Sequence, residues 1–506
     1  MTRLSASQTI SCIVDTGTWA CWDTPLPEPA VDAAYAASIR RARQRAGTDE
    51  AVVTGTGQVG GKQIALIVGE FEFLGGSIGL AAADRIINAL RRATEDRLPV
   101  MMLPVSGGTR MQEGTPAFVQ MLRITESVNA HKAAHLPYLV YLRNPTTGGV
   151  FASWGSLGHV TVAEPGALVG FLGPRVFHAL YGHRFPPGIQ TSENLHAHGL
   201  IDEVVPIEGL ANYLDRLLGL LTIPAAGRVF PPDTQRNNHI DAGPAWDAVT
   251  VSRDPKRHGV RELLDSAGTE VVELHGTGEG EFDNSTVLAL TRMGGIACVL
   301  VGQDRHAQTT TDQLGPAALR MARRGMRLAD ELRLPLLTVI DTPGAALSKD
   351  AEEQGLAGAI ARCISDMLSL EVPTVAVLLG QGTGGAALAL IAADTVIAAQ
   401  HSWLAPLPPE GASAIMFDTT DRAPEMASRQ RIRAIDLLSD GLVDVIVSEQ
   451  DGSEEEDRAS SFCLRLGASI ETALQTYPME APAGGLDACL RRRARLDSMS
   501  RIPLSV

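Results

Sequence analysis

The chain of 506 residues lacks three features that would assign it to a simple class. No apolar run reaches the roughly 18–20 residues that a membrane-spanning helix needs. The polar N-terminal residues, Met1–Ile10, lack the apolar core of a secretory signal peptide. Clustered positive charge is also missing, and the formal net charge is −15. This balance argues against nucleic acid or an anionic membrane as a main partner, because both require basic patches.

Cysteine is scarce, and no two cysteines form a Cys-x-x-Cys motif. The spacing therefore indicates neither a disulfide framework nor a zinc ribbon, and we expect a protein of the reducing cytoplasm. A hydrophobic content of 45% with mixed charge predicts a globular chain that is long enough for two large domains. The cysteines are Cys12, Cys21, Cys298, Cys363, Cys463 and Cys489.

Two glycine-rich turns follow apolar segments that predict buried strands. Pro145–Val150, with Gly148 and Gly149, follows Leu136–Leu142, and Thr383–Ala386 follows Val372–Leu379. Paired glycines after a strand let backbone N–H groups face a ligand with no Cβ in the way. Adjacent N–H donors of this kind can stabilise an oxyanion. A tight packing turn is the alternative interpretation of either turn alone.

The spacing between the two turns indicates an internal duplication. Five pairs of landmark residues share one offset of 236 positions, which is hard to obtain by chance, so the repeat governs the whole interpretation. The pairs are Pro137 and Pro373, Gly148 and Gly384, Gly79 and Gly315, Pro99 and Pro335, and Gly108 and Gly344.

Within each repeat, apolar strands alternate with amphipathic helices, which predicts parallel α/β structure. Phe151-Ala152-Ser153, directly after the first glycine turn, are predicted to start a helix. The Pro-rich stretch Pro224–Pro244 is the predicted linker. We therefore expect two domains, residues 1–223 and residues 245–506.

The motifs of both halves resemble bacterial acetyl-CoA carboxylase carboxyltransferase. The first half resembles its β subunit and the second its α subunit, so the whole is similar to the fused β–α type of actinobacteria. The resemblance implies a crotonase-like fold in each half, the first β-subunit-like and the second α-subunit-like. The β-like motifs are Phe71–Gly79, Ser106–Gly114, Asn144–Ser153, Gly170–Arg175, Pro186–Gln190 and Gly199–Val205. The α-like motifs are Glu273–Gly276, Asp341–Ala345, Ala351–Gly355, Gly380–Ala389 and Pro409–Gly411.

Three departures from the family pattern are visible. The four-cysteine zinc ribbon of β subunits is missing, and the basic stretch of α subunits is replaced by Gly302–Ala307. The usual Gly-Glu-Gly-Gly-Ser-Gly-Gly-Ala is here Gly380–Ala387, Gly-Gln-Gly-Thr-Gly-Gly-Ala-Ala. Counted without gaps to Pro409, the family's functional pair falls on Gly385 and Ala386, with Gly384 as the alternative.

The resemblance implies transfer of a carboxyl group from N1-carboxybiotin to the α-carbon of an acyl-CoA, with acetyl-CoA giving malonyl-CoA. Gly148 and Gly149 would hold the thioester oxygen, and Gly385 and Ala386 the ureido oxygen. On the biotin side the implied residues are Pro343, Gly344 and Gly382. On the CoA side they are Gly75, Gly76, Ser106, Gly107, Gly108, Arg110 and Arg175. Arg110 and Arg175 have a second interpretation, as structural ion-pair partners.

The biotin is expected on a separate carrier protein, because the attachment lysine of such carriers lies between two methionines. None of Lys62, Lys132, Lys256 and Lys349 has a methionine beside it. No metal site and no ATP site are predicted, and biotin carboxylase and the carrier protein are the implied partners. The family also implies a homo-oligomer, most simply a dimer, with the active site between halves of two protomers. A malonyl-thioester decarboxylase and a non-catalytic carboxylase scaffold remain as alternatives.

Overall fold

The computed structural model describes residues 3–27, 31–222, 243–309, 312–449 and 455–476, together with 490, 492, 494, 495 and 497. The chain divides into two compact units, Met1–Thr222 with Gly278–Glu281 and Ile223–Thr277 with Phe282–Val506. Residues 224–242 of the predicted linker lie outside the described residues. No helix in the described ranges is long and apolar enough to cross a membrane.

The first unit alternates strands and helices after an N-terminal helix. Its helices are α1 Ala6–Ile13, α2 Ala33–Ala46, α3 Leu80–Glu95, α4 Gly114–Ala133, α5 Pro174–Tyr181, α6 Ser192–Ala197 and α7 Ile207–Thr222. Its strands are β1 Ala20–Cys21, β2 Val52–Val59, β3 Lys62–Gly69, β4 Val100–Leu103, β5 Tyr138–Leu142, β6 Thr146–Thr147, β7 Val160–Ala163, β8 Val169–Gly170 and β9 Glu203–Val204.

The main sheet of the first unit has the strand order β1-β2-β3-β4-β5-β7-β9. The pairs β1–β2 and β2–β3 are antiparallel, and the pairs from β3 to β9 are parallel. Strands β6 and β8 form a separate small parallel pair. Helix α3 covers the sheet with an apolar face, since Ile86, Ile87 and Leu90 are buried at the spacing of one helix face.

The second unit repeats this order of elements. Its helices are α8 Ala245–Ser252, α9 Val260–Ala267, α10 Pro316–Leu332, α11 Lys349–Glu353, α12 Leu356–Ser369, α13 Gly384–Ile391, α14 Pro409–Phe417, α15 Ala423–Arg429, α16 Ala434–Ser439 and α17 Glu455–Gln475. Its strands are β10 Gly268–Leu274, β11 Thr286–Met293, β12 Ile296–Gln303, β13 Leu336–Thr342, β14 Thr374–Thr383, β15 Thr395–Ala399, β16 Trp403–Ala405 and β17 Val445–Val447.

The second sheet has the order β10-β11-β12-β13-β14-β15-β17, with β16 paired to β14. As in the first sheet, two antiparallel pairs, β10–β11 and β11–β12, lead into parallel pairs from β12 to β17. Apolar residues of α9 and α17 pack with these strands in one buried cluster. Near-continuous apolar strands are expected when both faces of a parallel sheet are covered.

The duplication is visible in the backbone at the predicted offset. Gly79 and Gly315 each precede a helix, α3 and α10, with φ near −100° in both. Gly148 and Gly384 have φ of 67° and 65°, a left-handed conformation that favours glycine. The carbonyl of Pro137 accepts from Val100 N–H at 2.9 Å, and that of Pro373 accepts from Leu336 N–H at 2.9 Å.

The predicted helix after Gly149 is wrong. Residues 148–153 form turns, and a short 3₁₀ helix, Trp154–Ser156, follows. Ser153 has φ −139° and ψ −114°, outside the helical region, and its Oγ donates to Gly149 O at 2.5 Å. Because a serine side chain that bonds the local backbone competes with the helix, one turn forms and the helix does not continue.

Candidate functional site

Of the two N–H groups of the first glycine pair, only one has an acceptor in the described part of the chain. Strand β6 pairs with β8, and the Gly148 N–H extends this ladder by donating to Phe171 O at 2.9 Å. In the described part of the chain, the next N–H, that of Gly149, donates to no acceptor. Of the glycine pair, the N–H of Gly149 is therefore available as a donor, and that of Gly148 is already used.

A second loop faces this turn across a narrow gap. A Cβ atom built on Gly148 would lie 3.4 Å from Gly108 Cα and 3.5 Å from Gly107 O. Gly107 N–H donates to Gly75 O at 3.1 Å, and Gly108 N–H donates to Ser106 Oγ at 3.0 Å. The structure thus brings together Gly75, Ser106, Gly107, Gly108 and the first glycine pair.

Gly76 lies under the same loop for a steric reason. A Cβ atom there would come within 1.9 Å of Val105 O, so only glycine allows the two segments to approach. Ser106 is buried, with a hydroxyl that accepts from Gly108 N–H and also lies 3.2 Å from Gly108 O. The hydroxyl of Ser106 therefore shapes the loop.

Thr109 was missed by the sequence analysis. Its Oγ1 would be 3.4 Å from a Cβ atom built on Gly149, so the hydroxyl lies against the glycine turn. The matched position in the second half is Ala345, which has no polar group. The bridge between Ile78 and Thr109 carries Thr109 to this place, and a repeat-aware comparison of the two loops would have singled it out.

The Arg110 side chain, one of the predicted CoA-side residues, is buried inside the first unit. The guanidinium is 1% exposed and forms ion pairs with Glu50 and with Glu113, the latter at 3.2 Å. Burial by itself lowers the pKa of Arg110, but hydrogen bonds and charge from Glu50 outweigh it and raise that pKa. These ion pairs favour the second interpretation of Arg110, as a structural ion-pair partner, and its contact with CoA phosphates stays a prediction. The side chain of Arg175, which lies in α5, is outside the described residues.

The second glycine turn opens a regular helix. Helix α13 begins at Gly384, so the N–H groups of Gly384, Gly385 and Ala386 lie in its first turn, where the helix supplies no acceptors. Ala386 is fully buried, and a Cβ atom on Gly385 would be 2.8 Å from Ile360 Cδ1. The positive end of the helix macrodipole adds to the attraction for an anion.

The loop opposite this turn contains the same hydrogen bond as the loop of the first half, from a glycine N–H to a hydroxyl two residues earlier. Gly344 N–H donates to Thr342 Oγ1 at 3.1 Å, as Gly108 N–H does to Ser106 Oγ. A Cβ atom on Gly344 would lie 3.7 Å from Thr383 Cγ2, so this loop faces the start of α13. The exposed Pro343 belongs to the same loop.

Gly382 has a packing role. It lies in β14 opposite Leu404 of β16, and a Cβ atom there would be 2.8 Å from Trp403 O. The close approach of the two strands therefore requires glycine. The predicted contact of Gly382 with biotin stays a prediction.

A buried network of polar side chains forms hydrogen bonds with the backbone around the second turn. Asp341, at 1% exposure, accepts from Gln381 N–H through Oδ1 at 2.9 Å and pairs with Arg305 through Oδ2 at 3.2 Å. Burial raises the pKa of Asp341, and the charges of Arg305 and Arg257 oppose that shift. Gln303 accepts from Asp341 N–H and donates to Ala386 O.

Further ion pairs surround this network. Arg257 makes two hydrogen bonds to Glu449, at 2.5 and 2.6 Å, and His401 Nδ1 lies 2.8 Å from the same carboxylate. Although burial alone raises the pKa of Glu449, the charge of Arg257 and the bonds from His401 and Arg257 lower it to about 2. Arg253 bonds both Glu410 carboxylate oxygens and also Gln381 Oε1.

Two aspartates, one in each half, have the same structural role. Asp202 Oδ2 accepts from Thr161 N–H at 2.9 Å, and Asp444 Oδ2 accepts from Val396 N–H at 2.7 Å. Within the described residues, no group of three or more His, Cys, Asp or Glu side chains could hold a metal ion.

Comparison with known proteins agrees with this duplicated architecture. Residues 3–461 match the model of the carboxyl transferase domain, so the chain belongs to that family. A Mycobacterium tuberculosis protein described as a probable biotin-dependent acyl-coenzyme A carboxylase beta3 subunit is 53% identical over 93% of this chain and 94% of its own length. The acetyl-coenzyme A carboxylase carboxyl transferase subunits beta/alpha of Salinispora arenicola are 35% identical over 99% of this chain and 92% of their own length.

Solved structures define the fold. Transcarboxylase 12S, described as a hexamer assembly, superposes with a TM-score of 0.71 at 19% identity, covering 94% of this chain and 90% of its own. The structure of a single-chain, multi-domain long-chain acyl-CoA carboxylase has a TM-score of 0.70 at 18% identity, and the match covers 92% of this chain and 45% of that chain. The predicted fold class, two crotonase-like α/β domains, is confirmed, as is the family to which the motifs pointed.

Proposed function

We propose that this chain transfers a carboxyl group from N1-carboxybiotin, held on a separate carrier protein, to the α-carbon of an acyl-CoA. The observation that carries the proposal is the pair of glycine turns, which occur once in each unit at matched positions. In the proposal, residues 1–223 are the β-subunit-like domain and residues 245–506 the α-subunit-like domain.

The reaction develops negative charge on two oxygens. One is the thioester oxygen, when the α-carbon loses its proton, and the other is the ureido oxygen of biotin, when the carboxyl group leaves. Backbone N–H groups at fixed positions can stabilise both. We assign the first oxygen to the turn with Gly148 and Gly149, where the Gly149 N–H is free, and the second to Gly385 and Ala386, in the first turn of α13.

No side-chain acid or base is assigned, because the released biotin nitrogen can take the α-proton. When the bond between the biotin nitrogen and the carboxyl carbon breaks, both bonding electrons stay on the nitrogen. The α-carbon of the enolate then forms the new bond to the carboxyl carbon. The mass and charge of the reaction therefore balance without a further reactant. A reaction that needs no side-chain acid or base agrees with two turns whose available groups are backbone N–H donors.

Acetyl-CoA is the proposed acceptor, and malonyl-CoA the product. The names of the more similar relatives specify only acyl-coenzyme A, whereas those of the fused relatives specify acetyl-coenzyme A. Biotin carboxylase and a biotin carrier protein are the proposed partners, and a cytoplasmic location is part of the proposal.

A homo-oligomer is also proposed. Large apolar side chains are exposed on α4, where Phe118 and Leu122 are 62% and 70% exposed, and on α14, where Ile415 and Met416 are 70% and 61% exposed. Contiguous exposed apolar residues of this kind mark interaction surfaces, and closed symmetry is the usual way to cover them. Light scattering that returns a stable monomer at micromolar concentration would contradict the proposal.

Isotope exchange tests the function directly. The purified chain is mixed with free biotin, unlabelled malonyl-CoA and acetyl-CoA that is labelled in its acetyl group. Carboxyl transfer through biotin moves label into malonyl-CoA, and omission of biotin abolishes the exchange. Loss of malonyl-CoA as CO₂ without exchange would favour the decarboxylase. No reaction under either condition would favour the scaffold. The same assay with longer acyl-CoA acceptors measures the acyl preference.

A further inference from the structure

One buried side chain connects the two segments that face each other at the second turn. Gln303 lies at the end of β12 and is 1% exposed. Its Oε1 accepts from Asp341 N–H at 3.1 Å, at the end of β13, and its Nε2 donates to Ala386 O at 2.9 Å, in the first turn of α13. A single amide thus spans the strand end and the helix start.

A glutamine amide suits both backbone groups that it meets here. The two backbone groups that it meets are a donor and an acceptor, and a glutamine presents one acceptor and one donor from the same planar group. A glutamate would place a second acceptor against Ala386 O. Because the site is buried, water cannot replace a lost bond, and an unsatisfied group there costs free energy.

The two bonds restrain the residue that carries the proposed oxyanion donor. The N–H and the carbonyl of Ala386 flank one Cα atom, so a bond that fixes the carbonyl also limits the rotation that would redirect the N–H. The other end of Gln303 fixes Asp341, whose carboxylate in turn accepts from Gln381 N–H on β14. Hydrogen bonds through Gln303 and Asp341 therefore fix the position of β14, before the turn, relative to that of α13, after it.

The first half holds its turn differently. By the pairing of the strands, the position that matches Gln303 is Gly69, at the end of β3, and a Cβ atom there would be 2.8 Å from Val105 N. A side chain is thus excluded. The position that matches Ala386 is Val150, whose carbonyl accepts from the Gly155 N–H at 3.0 Å, and the carbonyl of the preceding Gly149 accepts from Ser153 Oγ. The non-local amide belongs to the second half alone among these matched positions.

We propose that Gln303 is a positioning residue for the carboxybiotin half of the reaction: its amide, bonded to Asp341 N–H and Ala386 O, orients the donors that meet the ureido oxygen. This inference rests on the proposed function and extends it to a residue that touches no substrate. It predicts that loss of the amide weakens one half-reaction and leaves the other almost unchanged.

The test uses two variants of the full chain. Gln303→Met removes both bonds with little change in size, and Gln303→Glu keeps the acceptor for Asp341 N–H but loses the donor to Ala386 O. Release of CO₂ from N1-carboxybiotin measures one half-reaction. Exchange of the α-protons of acetyl-CoA in deuterated buffer with free biotin measures the other. Thermal unfolding and near-UV circular dichroism select variants that are folded.

We expect both variants to lower CO₂ release by about 10–100-fold, because small misplacements of reacting groups have effects of this size. The rate of α-proton exchange and the KM for acetyl-CoA should stay within about twofold of the parent values. Ser153→Ala is the matched variant of the first half, and it should lower α-proton exchange more than CO₂ release.

The outcomes separate two kinds of failure. A folded Gln303→Met protein with the parental rate of CO₂ release overturns the inference, and so does an equal fall of both half-reactions, which indicates a general structural role. If Gln303→Met does not fold, the result with Gln303→Glu decides. If the parent chain itself catalyses neither half-reaction, the proposed function fails and the inference fails with it.

Discussion

The two glycine turns have nearly the same backbone conformation at their first glycine, yet different structures follow them. In the first half a single turn ends at Ser153, whereas in the second half α13 continues to Ile391. The residues after the second turn are mostly alanine and leucine, which favour helix. Those after the first include Val150, Phe151 and Gly155, which do not. A regular helix is therefore not needed to present an N–H group at this place.

The halves also differ in the strand before each turn. Pro145 has no N–H to satisfy, and its matched position, Gln381, donates its N–H to the buried carboxylate of Asp341. The position that matches Asp341 is Val105, which is apolar. The first half thus has no backbone N–H at this position. In the second half, the N–H of Gln381 donates to the Asp341 carboxylate. The second solution requires Arg305 as well, because an unpaired buried carboxylate is costly.

The largest expected effect comes from removal of a donor in each turn. Proline has no N–H, so Gly149→Pro and Ala386→Pro should each lower carboxyl transfer by about 10²–10³-fold, roughly 2.7–4 kcal/mol. Gly149→Pro should mainly lower α-proton exchange, and Ala386→Pro should mainly lower release of CO₂ from N1-carboxybiotin. Both rates are measured on protein whose folding has been checked by circular dichroism.

Ala386→Gly is the control, since it keeps the N–H and should retain most activity. If folded Ala386→Pro transfers carboxyl groups at the parental rate, the second pair would be Gly384 and Gly385. That register would also match the first half more closely, because Gly149 and Gly385 are equivalent at the offset of 236.

The next effect concerns the ion pair of the first half. Glu50→Leu leaves the guanidinium of Arg110 buried without its main partner, and this should reduce the stability of the first unit by about 3–5 kcal/mol. Hydrogen exchange measured separately in α3 and α10 should show the loss in the first unit only. The double variant Glu50→Leu with Arg110→Met should recover part of the stability.

The same double variant tests the role of Arg110. Because the side chain is inside the unit, the KM for acetyl-CoA should stay at the parental value. A rise of tenfold or more in KM with unchanged kcat would restore Arg110 as a phosphate contact, and the structural interpretation would have to be abandoned.

The smallest expected effect is a difference between the units in their response to acid. Burial lowers the pKa of His131 to about 4, from a usual value near 6.5, and leaves the ring neutral in the folded first unit. The unfolded chain binds the proton first, so stability is full above pH 6.5 and falls as pH drops toward 4, by about 3 kcal/mol. Glu449 of the second unit keeps its charge until far lower pH, since its pKa is about 2.

Hydrogen exchange at pH 7 and pH 5 measures this difference, after correction for the intrinsic pH dependence of exchange. Protection in α4 should fall more than protection in β17, and His131→Gln should reduce the fall. Equal loss of protection in the two elements of the parent protein would contradict the assignment of the effect to His131.

The sequence predicted the fold class because the repeat constrains it. Five residue pairs at one offset fixed the duplication, and apolar strands such as Val100–Leu103 and Leu336–Ile340 fixed its parallel character. The glycine positions of both turns followed from the same repeat.

Other features could not be predicted, since they depend on contacts between distant segments. Arg110 lies in a motif that suggested a ligand, and only the fold brings Glu50 beside it, 60 positions away. Gln303 stands in a stretch that was noted only for departing from the basic pattern of the family, and its partner Ala386 is 83 positions distant. The early end of the turn at Ser153 depends on a side-chain hydrogen bond that no periodic pattern records.

The gap between Gly148 and the loop of Gly107 and Gly108 is lined by main-chain atoms, and this decides how the first turn responds to substitution. Shortening a neighbouring side chain to alanine cannot delete an N–H group, so such changes leave the Gly149 donor in place. Addition is different: one extra carbon atom on Gly76 would overlap Val105 O, and one on Gly148 would narrow the gap to Gly108. A site of this kind is robust to loss of atoms and vulnerable to the gain of a single methyl group.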